Sequence, residues 1–183
     1  FVAYLLDYRL IGHQLSFWSG YPDFLRRIFA GDLGLSSVSG LPVLDEIRHY
    51  FPATLILCLA AFAISLLVGI PLGTLAALSQ GKTLDLSIMT AGLIGYAVPV
   101  FWLALLVVML FSLDLGWLPA SGQISLLYDV PPITGIAVID VLLSQEPWRQ
   151  AALHDALRHL ILPSLVLAVV PTTEVIRHVR SSL

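Results

Sequence analysis

Between Tyr50 and Gly81 the chain carries no Asp, Glu, Lys or Arg over 32 residues. A helix needs about 20 such residues to cross a bilayer core. A second charge-free run, Leu86–Leu113, holds 28 residues. Both runs predict spanning helices. A third apolar stretch, Leu160–Thr173, is 14 residues long. It reaches spanning length if its helix continues through Val175, Ile176 and Val179, with charges at the interface.

Composition agrees. The chain of 183 residues is 58% hydrophobic and 11% charged, against roughly 25% charged in a soluble domain. Mean hydropathy is +0.91. A water-soluble globule would expose too much apolar surface. Nine Lys and Arg against twelve Asp and Glu leave no basic stripe for nucleic acid. The one cysteine, Cys58, rules out an internal disulfide and reads as a small core or lipid-facing residue. The fold class is all-α, a polytopic membrane helix bundle.

The segments follow in order: 1–50 external, with Phe1–Leu6 as the tail of an earlier span; 51–80 a membrane helix; 81–85 a tight polar turn; 86–113 a membrane helix; 114–158 a long external loop; 159–183 a membrane helix. Pro119, Gly122, Pro131, Pro132, Gly135 and Pro147 break the long loop into short pieces. Ala151–Arg158 reads as a helix along the membrane surface. If the tight turn and the C-terminal end share one side, that side concentrates Lys82, Arg177 and Arg180. Arg9, Arg26, Arg27, Arg48, Arg149 and Arg158 spread thinly over the other, with ten of the twelve acids. The positive-inside rule then puts the turn in the cytoplasm.

Several motifs have both a plain and a functional reading. Ala76–Thr83 fits a loose phosphate-loop pattern but follows an apolar helix rather than a strand, so it reads as a helix end. Gly69, Pro71 and Gly73 lie inside the first span, and Gly92, Gly95 and Pro99 repeat the pattern in the second. Glycines admit a neighbouring backbone and prolines remove a hydrogen bond and kink a helix. These residues serve either packing or a bent helix lining a pathway. Phe101 and Trp102 follow Pro99, either within the bundle or on a substrate path. Glu174 is an acid at membrane depth, a functional suspect by default, yet Arg177 and His178 stand one helical turn away to pair with it. His154, Asp155 and His159 make at most a weak metal set. The two long runs hold no His or acid for catalysis, and no ring of charges as in a channel; a membrane enzyme or an ion channel is the rival class. No catalytic, cofactor or metal site is assigned.

A set of motifs resembles the dipeptide/oligopeptide ABC transporter permeases. In order these are Gly31-Asp-Leu-Gly34, Pro42-Val-Leu-Asp-Glu-Ile47, Pro52-Ala-Thr-Leu55, Gly69-Ile-Pro-Leu-Gly73, Val98-Pro-Val-Phe-Trp-Leu-Ala104, Leu115-Gly-Trp-Leu-Pro-Ala-Ser-Gly122, His159-Leu-Ile-Leu-Pro163 and Arg177-His-Val-Arg-Ser-Ser182. Tyr128–Gly135 and Pro171–Arg177 resemble most the Sap-type peptide-transport branch. The resemblance implies a six-span permease of the type I importer fold, of which this chain holds spans two to four, with the ATPase-contacting loop expected after Leu183. It implies a bacterial inner-membrane protein without enzymatic activity of its own. Its partners would be a second permease, two ATPase subunits carrying the ATP-Mg, and an external solute-binding protein. The cargo would be a peptide, with cationic antimicrobial peptides or polyamines open. The outward acids, among them Asp114, Asp129 and Asp140, are expected either as solvated loop charge or as a docking surface for the binding protein.

Overall fold

The computed structural model describes residues 17–183, with the side chains of residues 17–20 and Asp23 outside the description. The expected tail at Phe1–Leu6, and Arg9, lie outside the described residues. The elements are α1 (Phe17–Phe29), α2 (Val43–Leu78), α3 (Thr83–Ala97), α4 (Val100–Val108) running into a π-helical turn (Met109–Asp114), α5 (Ala137–Leu143) and α6 (Arg149–Ser182). Among the described residues the one β feature is an isolated bridge between Leu35 and Pro42. The chain divides into two compact units, Phe1–Tyr50 and Phe51–Leu183.

In the first unit α1 leads into a loop that folds back on itself. Ser36 N–H donates to Leu41 O at 2.8 Å and Val43 N–H to Gly34 O at 3.0 Å. Asp32 accepts from Gly34 N–H at 3.0 Å. That turn requires Gly34 at φ +75°, where a side chain would be strained. The loop delivers the chain to α2, whose first turn holds Asp45 and Glu46, favourably placed on the helix dipole.

In the second unit α2 and α6 dominate. They contain 36 and 34 residues, about 50 Å each at 1.5 Å per residue, longer than the roughly 30 Å hydrocarbon core. Both run unbroken through prolines, Pro52 and Pro71 in α2 and Pro163 and Pro171 in α6. α6 begins at Arg149, so Ala151–Arg158 is not a separate surface helix and the long loop ends ten residues earlier than expected. The charges at 149, 155 and 158 suggested a boundary, but they ride on the first turns of a helix that outreaches the membrane.

The second run also departs from expectation. It is not one helix over 86–113 but two pieces bent by 95° between Ala97 and Val100. Pro99 has no N–H to give, and its ring pushes the preceding residue out of the helical region. Val98 is accordingly extended, at φ −78° and ψ 126°. Pro99 O then accepts from Trp102 and Leu103 N–H, both at 3.0 Å, starting α4.

The core of this unit is thin. The buried residues of α2 are Ala61, Ser65, Gly69, Gly73 and Ala76, one stripe of small side chains. Large apolar residues point outward instead: Leu67 is 75% exposed and Leu93 66%. Such a surface suits lipid or further helices, not water.

Candidate functional site: a small-residue cleft closed by a buried ion pair

α6 is held between α2 and α3. Along α2, Gly69 faces Val175, and Gly73 faces Val179 and the Ile176 carbonyl. Ser65 donates to Ala61 O at 2.7 Å within its helix and approaches Ala168 O of α6 at 3.4 Å. Contacts therefore rise together on both helices, from 65 with 168 to 73 with 179, so α2 and α6 run parallel. Along α3 the order is reversed: Gly95 faces Val169 and Gly92 faces Thr173. Thr173 Oγ1 lies 3.3 Å from Gly92 O and 3.1 Å from Val169 O. α3 and α6 are antiparallel.

The spacing is very close. A methyl group built on Gly69 would lie 2.7 Å from Val175 Cγ1, and on Gly73 2.7 Å from Val179 Cβ. In lipid, where apolar burial between helices brings little, such close backbone approach supplies the van der Waals contact that holds helices together. The four glycines expected to serve packing or a path thus all lie against α6. Pro71, two residues from each α2 glycine, is exposed on the other side.

At one end of the cleft an acid joins the turn to α6. Arg180 donates from Nε to Asp85 Oδ1 at 2.6 Å and from Nη2 to Oδ2 at 2.8 Å. Gly81 N–H donates to Oδ2 at 2.9 Å, with Gly81 held at φ +76°. Asp85 is 4% exposed. The planar guanidinium matches both carboxylate oxygens at once. This pair places the 81–85 turn and the end of α6 together, so Lys82, Arg177 and Arg180 stand at one end of the helices. Sequence reading missed it, because the partners stand 95 positions apart. A lone acid following Lys82 in a polar turn was the available signal.

Glu174 pairs with Arg177 one turn on. Phe101 and Trp102 lie just past the bend, 71% and 49% exposed. Phe101 borders an apolar groove of about 500 Å³ with Leu57, Ala104, Leu162 and Val166, and Trp102 lies outside its lining. The structure thus separates these two neighbours. Pro99 is exposed at the break itself.

The far end of α6 carries the long loop. Asp155 accepts from Ser125 N–H at 2.7 Å and stands 3.5 Å from His159 Nδ1. Arg158 donates to Trp117 O. Gln123 clasps the next stretch, donating to Gly135 O at 3.3 Å and accepting from Ala137 N–H at 3.1 Å. Asp140 corrects an expectation. It is 3% exposed and accepts from Thr134 N–H at 2.7 Å, Thr134 Oγ1 at 2.6 Å and Gly135 N–H at 3.2 Å. Its carboxylate is consumed in building the loop's own turn and is not offered to a partner. Asp114 and Asp129 are exposed. His154 is exposed as well, and among the described residues no cluster of three His, Cys, Asp or Glu is assembled for a metal.

Comparison with known proteins accords with this arrangement. Residues 69–183 match the family described as binding-protein-dependent transport system inner membrane component. Over 167 residues the chain is 46% identical to the peptide transport system permease protein SapB of Salmonella typhimurium, covering 91% of this chain and 52% of that protein. It is 47% identical over 167 residues to the putrescine export system permease protein SapB of Escherichia coli, with the same coverage of 91% and 52%. It is 35% identical over 176 residues to the dipeptide transport system permease protein DppB of Escherichia coli, covering 94% of this chain and 51% of that protein. The chain spans about half the length of these curated relatives. With the match covering α3 to α6 and the last ten residues of α2, the chain belongs to the binding-protein-dependent transport system inner membrane components, a family of helical membrane proteins.

Proposed function

We propose that the protein is a multi-pass permease subunit of an ATP-driven peptide transporter in the bacterial inner membrane. The observation that carries this reading is the family match over 69–183, together with relatives named as peptide and dipeptide transport permeases. In this reading the protein pairs with a second permease, two ATPase subunits that bind the ATP-Mg, and a solute-binding protein. The 81–85 turn and the end of α6 face the cytoplasm, and the long loop faces outward. The bend at Val98–Pro99, with Phe101 beside the apolar groove, is suited to a path wall that changes shape, because ATP binding on partner chains can favour one of two arrangements. One relative's name, a putrescine export permease, favours a second cargo, a small polyamine cation.

The loop supplies the docking surface for the binding protein, through exposed Asp114 and Asp129 rather than Asp140. Exposed charges of this kind act mainly on encounter rate and fade with salt. In the complete assembly, Asp114→Asn with Asp129→Asn is expected to reduce ATP hydrolysis stimulated by loaded binding protein by roughly two- to tenfold at low salt. Unstimulated hydrolysis should stay unchanged. Equal stimulation at low salt would remove these residues from docking. No stimulation by any binding protein in the unaltered assembly would count against the transporter reading itself.

A further inference from the structure

Helix α1 gathers its large apolar residues on one face and carries Arg26 and Arg27 in its last turn. At about 100° per residue, Phe24, Ile28, Tyr21, Leu25 and Phe29 fall within one arc of about 140° of the helix surface. Phe29 is 88% exposed, Phe24 58% and Tyr21 52%. Arg27 lies about 60° beyond one edge of this arc and Arg26 about 60° beyond the other. Both arginines are exposed, and neither forms an ion pair among the described residues.

We infer that α1 lies flat in the headgroup region of the bilayer, with its aromatic face in the acyl boundary and Arg26 and Arg27 on lipid phosphates. Three observations favour lipid over a protein groove. An arginine flanks each edge of the apolar arc, as suits a helix with a headgroup layer on both sides; long basic side chains reach back to such a layer while their stems stay in apolar surroundings. The aromatic residues have the mixed character found at membrane interfaces. The link to α2 is short in space, because the loop after α1 closes on itself at Gly34 and Val43. α2 in turn passes from charged residues at Asp45, Glu46 and Arg48 to its charge-free run at Tyr50. Helix α1 is therefore tethered close to the water boundary of a membrane-length helix. The inference rests on the membrane character of the chain and not on its transport role.

The test uses the full-length protein carrying Cys58→Ser, reconstituted in vesicles of phosphatidylethanolamine and phosphatidylglycerol. Single cysteines replace Phe24, Ile28, Phe29, Arg26 or Arg27 and carry an environment-sensitive fluorophore. At 24, 28 and 29, quenching by lipids with a spin label near the headgroup should exceed quenching by aqueous iodide by about threefold or more. The ratio should reverse at 26 and 27. Equal iodide quenching at all five positions would show the helix in water and overturn the inference. Protection at 24, 28 and 29 from both quenchers would show a protein covering the face, and would overturn it equally.

Discussion

Replacing Arg180 by Ala is expected to lower the melting temperature of the detergent-solubilised protein by about 5–10 °C, the scale for breaking a buried pair. Asp85 is 4% exposed and would keep one donor, the Gly81 N–H. A carboxylate left with so few partners away from water is costly. The Arg180 side chain is 28% exposed and reaches water more readily, so removing Asp85 should cost less than removing Arg180. Asp85→Asn keeps an acceptor for Gly81 and should cost least of the three. Arg180→Lys should fall between, because an ammonium cannot meet both oxygens in one plane. As a control, Asp114→Asn changes an exposed charge and should shift melting by about 1 °C or less. Melting followed by fluorescence on size exclusion orders these variants. Equal, small shifts for all would mean that the ion pair does not hold the turn to α6.

Substitutions at the glycines of α2 and α3 should separate two effects that oppose each other. Alanine favours the helix over glycine by about 1 kcal/mol, while overpacking costs about 1–3 kcal/mol. At Gly92 the nearest atom is a Thr173 methyl at 3.1 Å, and no backbone atom stands among its close contacts, so Gly92→Ala should cost less than Gly73→Ala. At Gly73 a new methyl would meet Val179 Cβ at 2.7 Å and the Ile176 carbonyl at 2.9 Å. Neither moves without the helix moving. Gly73→Ala should therefore destabilise, and Gly73→Leu should prevent normal assembly, lowering the folded yield by about tenfold. At Gly69 the main obstacle is the Val175 side chain, with Thr172 O further off at 3.2 Å. Pairing Gly69→Ala with Val175→Gly should recover part of the loss. The matching exchange at 73 and 179 should recover less, since the Ile176 carbonyl stays in place. Uniform tolerance of Leu at Gly69 and Gly73 would contradict the cleft.

The two charge-free runs made the helices legible, because in lipid composition alone selects the element. The glycine pairs were legible as packing, since they lack the side chain that would keep a neighbour away. The bend was not. Pro71, Pro99, Pro163 and Pro171 each delete the same hydrogen bond, yet the chain breaks at Pro99 and continues helical through the others. What lies around each proline decides between these outcomes, and a linear pattern does not contain that. Asp85 and Arg180 were both visible as charges, but their pairing depends on how α3 crosses α6. Asp140 was within reach of a local reading, since Thr134-Gly135 stand just before its helix. An acid in a turn-rich loop looks solvated until its donors are placed.

The reading as a permease subunit is tested most directly by flux. The full-length protein is reconstituted in sealed vesicles with the second permease and the ATPase subunits that this reading proposes for it, and movement of a labelled peptide supplied by the proposed binding protein is followed. The account predicts flux that requires ATP, the binding protein and this subunit together, and that falls in the Arg180→Ala assembly. Peptide or ion flux through this protein without the ATPases, or ATP-driven peptide flux undiminished when the subunit is left out, would contradict it.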